Sequence, residues 1–151
     1  MLFLEDVMKY AVAAVIAVVL VGCTNEQWSP QSDSLADHML DCNGQDATEC
    51  AITHFVEVAG YEPRQQCQDV TRATTFDYVS HDVVSKKCGE DRLGCVTAYS
   101  PNGGIATIEN NEDGRVPAVS AHEAMHILLR CETGNFDEAH LKTVWEGLRT
   151  N

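Results

Sequence analysis

Ser120-Ala-His-Glu-Ala-Met-His-Ile-Leu-Leu-Arg-Cys131 is the stretch from which the rest of the chain is read. It is a run of good helix formers that sets His122 and His126 four residues apart, so both imidazoles lie on one face about one turn apart. Neutral imidazole is a ready ligand for a divalent ion such as zinc. Glu123, beside the first histidine, is placed to serve as general base toward a water that the ion activates. The same residues admit a plainer reading, because Ser120 followed three residues later by Glu123 is also a capping box at a helix start. Pro117, whose fixed φ suits a first helical position, decides whether that box stands. A helix starting at Pro117 places Ser120 inside it, and the box fails.

A catalytic zinc takes three protein ligands and keeps a fourth position for water, so two histidines leave it one short. Downstream lies Thr133-Gly134-Asn135-Phe136-Asp137-Glu138-Ala139-His140. Gly134 stops the first helix, which runs from about Pro117 to Cys131, and a second from about Asp137 to Arg149, capped by Asn135 or Asp137, brings its first turn back toward the metal. On that helix Asp137 and His140 share a face. His140 is the preferred third ligand because imidazole suits zinc, with Asp137 available to orient a ligand from behind.

Working backward from the histidines, Asn110 to Gly114 is a polar loop, preceded by β-rich segments. Ala73-Thr-Thr-Phe-Asp-Tyr-Val79 alternates, as do Cys95 to Tyr99 and Ile105 to Ile108; Pro101-Asn102 with Gly103-Gly104 turns the last two into a hairpin. Ala47 to Ala59 is helical, with Ala51, Phe55 and Val58 on one face and Gly60 as its stop; Ser34 to Leu40 is a shorter candidate. His54 sits beside the apolar face of the longer helix, as a hydrogen-bonded core histidine would. The pattern predicts an α+β domain in which a short antiparallel sheet packs on the metal-bearing helix and a C-terminal helix.

Cys42, Cys50, Cys67, Cys88, Cys95 and Cys131 are an even set that reads as three disulfides in an exported chain. Short loops favour Cys42 with Cys50 and Cys88 with Cys95, leaving Cys67 with Cys131, although spacing alone does not fix the connectivity. A thiolate zinc site is the competing use, and no Cys-x-x-Cys pair supports it.

Export is read from the amino terminus. Ala11 to Val21 is an unbroken apolar run, too short to span a bilayer and of signal-peptide length. Leu20-Val21-Gly22-Cys23 resembles a bacterial lipobox, which implies cleavage before Cys23 and lipid attachment to its thiol. Glu5 and Asp6 depart from the positive start that such a peptide needs, whereas Met8-Lys9-Tyr10 supplies it, so Met8 is read as the initiator. The organisation is then a signal peptide over 1–22, a Asn/Gln/Ser/Pro-rich tether over 23–33 and the domain over 34–151. The formal net charge of −13 speaks against nucleic-acid partners, whose phosphates it would repel. The membrane is touched only through the lipid.

A hairpin leading into His122-Glu123-Ala124-Met125-His126 is similar to the zincin class of zinc metallopeptidases, and the chain resembles small bacterial zincin-like lipoproteins over the lipobox and roughly the last fifty residues. It departs from the metzincin pattern, which needs glycine and histidine where this chain has Leu129 and Glu132. Glu146 lies where thermolysin-like enzymes supply a glutamate ligand. Asp137 with a ring residue three positions on is similar to the aspzincin pattern, with His140 in place of tyrosine. The resemblance implies attack of water on a peptide carbonyl, the ion supplying Lewis acidity while Glu123 takes the proton and passes it to the leaving amine. Tyr99, Tyr78 and His81 are candidates for stabilising the oxyanion, and a groove beside Ile105 to Ile108 is the place for an extended peptide substrate. The alternative is a binding or structural lipoprotein in which zinc is absent or only holds two helices together, a reading that leaves Glu123 without a role.

Overall fold

The computed structural model describes residues 40, 42–112, 114–137, 140 and 142–145. The predicted signal peptide, the expected lipobox Cys23, the predicted tether, the Ser34 to Leu40 candidate helix apart from Leu40, and Glu146 lie outside the described residues. In order come α1 (Ala47–Ala59), α2 (Gln65–Arg72), β1 (Thr75–Val79), α3 (His81–Cys88), β2 (Gly94–Ser100), β3 (Gly103–Glu109), α4 (Val116–Thr133) and a single 3-10 turn, Thr143–Trp145. This is the α+β arrangement expected, with helices packed on a three-stranded sheet.

The fold is organised around α4. Pro117 stands in its first turn, Gly134 ends it in the left-handed region at φ 79°, and every residue from Val119 to Leu129 is buried. A helix buried all round has no solvent face, so it runs through the core rather than over it. Ala121, Ala124, Met125, Leu128 and Leu129 pack with Ala51, Ile52 and Phe55 of α1, while Val119 packs with Ala106 and Ile108 of β3. Each fully buried Leu, Ile or Met here contributes roughly 1.5–3 kcal/mol. The capping box does not form: Ser120 lies within the helix and its hydroxyl donates to the Val116 carbonyl at 2.8 Å. α1 has the cap that α4 lacks, since Asp46 Oδ1 accepts from the Thr48 amide at 2.9 Å and Gly60 closes the other end at φ 76°.

The sheet differs from the expected antiparallel one. β2 and β3 form the predicted hairpin, but β3 then inserts between its neighbours in the order β1-β3-β2 and runs parallel to β1, giving a mixed sheet. The hairpin rule governs only strands joined by a tight turn. Here α3 and β2 separate β1 from β3, and a crossover of that length permits a parallel neighbour. The expected groove beside Ile105 to Ile108 is therefore closed, because β3 has a strand on each side; the outer edges belong to β1 and β2. The turn itself is Pro101-Asn102, and Gly103-Gly104 are already strand. Their glycines serve packing: a Cβ on Gly104 would lie 2.4 Å from Ile127 Cδ1 of α4. The bare backbone lets α4 lie directly on the hairpin.

Two helices went unread in the sequence. α2 and α3 are eight residues each and largely polar, so few apolar residues mark them out. Disulfides fasten both. Cys67 of α2 is bonded to Cys131 of α4, Cys88 of α3 to Cys95 of β2, and Cys42 to Cys50 of α1, the pairing that short loops favoured. No cysteine among these six is left for a thiolate site, and three disulfides fit an oxidising compartment. No helix among the described residues is long and apolar enough to cross a membrane.

The last predicted helix is absent where the chain is described. Asp137 and His140 have φ of 54° and 51°, which no α-helix accommodates, and only Thr143–Trp145 coils, as 3-10. Asn135 explains the departure: its Oδ1 accepts from the Asp137 amide at 2.6 Å, a local turn that competes with helix initiation.

Candidate metal centre

α4 supplies the first two side chains. His122 and His126 are 3 % and 7 % exposed, and their Nε2 atoms are 3.1 Å apart. His140 comes from the irregular segment after α4, not from a helix, and its Nε2 lies 3.2 Å from that of His122 and 3.3 Å from that of His126. The structure thus brings together the three histidines singled out in the sequence, while the reason given for the third, a shared helical face with Asp137, does not hold.

The tautomer of one ring is set by its surroundings. His126 Nδ1 donates to the Phe136 carbonyl at 2.6 Å, so its Nε2 carries the lone pair and aims it at the other two rings. Burial, reinforced by the neighbouring His122, holds His126 well below the usual imidazole range, keeping it neutral. The three nitrogens form a nearly equilateral triangle with edges of 3.1–3.3 Å. Nitrogens about 2.0–2.1 Å from a tetrahedral ion are about 3.3–3.4 Å apart, so the triangle fits the base of such a tetrahedron. Among the described residues, His122, His126 and His140 are the group that could hold a metal ion.

Asp137 serves a different purpose from ligation. Its carboxylate Oδ2 accepts from the Lys142 amide and from Trp145 Nε1, each at 2.7 Å, and its carbonyl accepts from the His140 amide at 2.8 Å. One residue therefore ties down both the segment bearing His140 and the indole beside it. Trp145 was not singled out in the sequence, where nothing marks it. Its ring centroid lies 4.9, 4.9 and 4.5 Å from those of His122, His126 and His140, so one indole packs against all three imidazoles. Asp137→Ala removes the acceptor of a buried indole N–H, a loss of about 1–3 kcal/mol in stability. It should weaken metal binding by roughly 10–100-fold, the scale for groups that hold ligands in place. Asp137→Asn keeps an acceptor oxygen and should recover most of the affinity in a competition titration against a chelating dye; equal damage from both variants would mark Asp137 as a ligand instead.

The remaining candidates fall around this centre. Glu123 is 4 % exposed and follows His122 on α4, about 100° round the helix from it and about 60° from His126. Tyr78 Oη is 3.4 Å from Ser120 Oγ, two residues before His122. Tyr99 packs edge-on against Phe136, the residue whose carbonyl holds His126. His81 is engaged elsewhere, its Nδ1 2.8 Å from Glu109 Oε2 at the exposed start of α3, and that carboxylate raises its pKa. His54 is the hydrogen-bonded histidine expected, with Nε2 2.9 Å from the Val144 carbonyl. No protein-family model, curated protein or solved structure matches this chain, so what the site can do rests on these side chains alone.

Proposed function

We propose that the protein is a zinc-dependent peptide hydrolase, exported and anchored by lipid at Cys23. The observation that carries this reading is the triangle of three imidazole nitrogens, 3.1–3.3 Å on a side, with a buried glutamate adjoining the first of them. Three imidazoles suit zinc and leave a tetrahedral ion one further position, the arrangement of catalytic rather than structural zinc. When bound, the ion supplies Lewis acidity at neutral pH. The chain's own residues do the rest. Phe136 and Asp137 hold the ligand segment in place, and Glu123 accepts a proton from the attacking water and returns it to the leaving nitrogen. The edge of β2, which has no further strand beside it among the described residues, is where an extended substrate adds its backbone, close to Tyr99.

Trp145 favours a second reading. An aromatic ring packed against all three histidines, itself 3 % exposed, is what a closed structural centre would show. Metal analysis separates the two when combined with an assay. The purified protein should carry one zinc per chain, lose it in His122→Ala, His126→Ala and His140→Ala, and release fragments from casein in a chelator-sensitive manner. Zinc at one per chain without any cleavage would leave the structural reading standing; no zinc at all would overturn both.

A further inference from the structure

A concavity of about 630 Å³ borders β2, an edge strand of the sheet. Val96, Thr97, Ala98 and Tyr99 border it consecutively, with Lys87 from α3 and Arg130 and Phe136 from the far end of α4 and the segment beyond. Side chains of a regular strand alternate between its faces, so four consecutive residues border one space where the strand's edge faces it or where a bulge breaks the alternation. The strand is also irregular there, its pairing with β3 shifting between Val96 and Ala98.

The charge of this wall stands against that of the chain. Acidic residues outnumber lysine and arginine by 23 to 10, yet the border contains two cations and no carboxylate. Arg130 is fixed rather than free to swing. Its guanidinium lies 5.4 Å from the Phe136 ring centroid and 5.9 Å from that of Tyr99, and it donates to the Gly134 carbonyl. Phe136 connects this wall to the metal centre, because its side chain borders the concavity while its carbonyl holds His126.

We infer that this concavity is a subsite for a carboxylate-bearing peptide segment, whose backbone lies along the edge of β2 and whose acidic group is held by Lys87 and Arg130. The aromatic pair receives the apolar part of the same segment. The inference deepens the hydrolytic reading by naming its substrate class, and rests on that reading only for what happens to the bound peptide. The carboxylate can come from a glutamate side chain or from the end of a peptide chain, since both present the same two oxygens to a cation.

The test uses fluorescent hexapeptides of one apolar sequence, differing at one position as Glu, Gln or Lys, each made as free acid and as amide. Anisotropy is measured with the Glu123→Gln protein, so that binding is read without cleavage. The Glu amide should bind about twofold to fivefold tighter than the Gln amide, the scale of one charge pair near a protein surface. If the Gln free acid gains as much and the Glu amide gains nothing, the ligand is the chain end, which equally supports the subsite. Lys87→Glu added to that protein should invert the preference toward the Lys peptide, and Lys87→Gln should flatten it, with thermal melting unchanged because Lys87 is exposed. Equal binding of every peptide, or a preference unmoved by both Lys87 variants, overturns the inference. Cleavage by the parent protein is read separately: cutting without acidic preference would sink the subsite and spare the hydrolase. Selective binding that Lys87→Glu inverts, with no cutting, would do the reverse.

Discussion

Glu123→Gln is expected to keep its zinc and to lose about 10²–10⁴-fold in peptide hydrolysis, the contribution usual for a positioned acid–base group. That loss corresponds to roughly 3–5 kcal/mol of transition-state stabilisation. The amide and the carboxylate have nearly the same shape, so the packing of α4 around position 123 should survive, and with it the triangle formed by His122, His126 and His140. What the amide cannot do is accept a proton from water. The measurement is a pair: zinc content of the variant, and its rate on a peptide that the parent cuts. Full zinc with a collapsed rate assigns Glu123 as the base. A variant that cuts as fast as the parent removes the assignment of Glu123 as the base.

The second large effect concerns stability. Removing the Cys67–Cys131 bond by paired substitution to alanine should cost about 4 kcal/mol, because it closes a long loop whose freedom in the unfolded chain the bond curtails. The sequence separation is 64 residues, against 8 for Cys42–Cys50 and 7 for Cys88–Cys95. The same chain-entropy reasoning gives about 2.5 kcal/mol for each short loop. A domain stable by about 5–15 kcal/mol would lose a large share of its margin with the long bond alone. Part of the tie would persist, since the Arg64 backbone amide donates to Glu132 Oε1 at 2.7 Å and its guanidinium reaches the Cys131 carbonyl. Urea denaturation of the two double variants, Cys67/Cys131 and Cys42/Cys50, measures the difference. Equal losses would show that the bonds act through native contacts instead of through the unfolded chain.

Much of the frame was legible in the sequence because its signals are local. Gly60 and Gly134 stop α1 and α4 by adopting left-handed backbone, and Pro117 marks where α4 begins; these are properties of single residues. The hairpin followed from its turn, and the disulfide pairing from two short loops. What escaped depends on contacts far apart in the chain. Nothing near β1 says that β3 will pass between it and β2. His140 was chosen for its chemistry, and its ring does meet the other two, but the helix assumed to carry it is replaced by a turn that Asn135 begins. Trp145 and the hydrogen bonds of Asp137 became visible only when Lys142 to Trp145 folded back on the histidines. Whether Cys23 carries lipid lies outside the described residues.

The unusual backbone of Asp137 and His140 bears on how long an ion would stay. Non-glycine residues in the left-handed region cost roughly 1–2 kcal/mol each, and here one of them is itself the third histidine. His122 and His126 are carried by the buried helix α4, so the residence time of an ion would be set by one arm of the three. Exchange would proceed by the His140 side letting go first, with the core still folded, and each 1.4 kcal/mol relieved in that step quickens it about tenfold. Loading and unloading of an ion would in this way be uncoupled from unfolding of the domain.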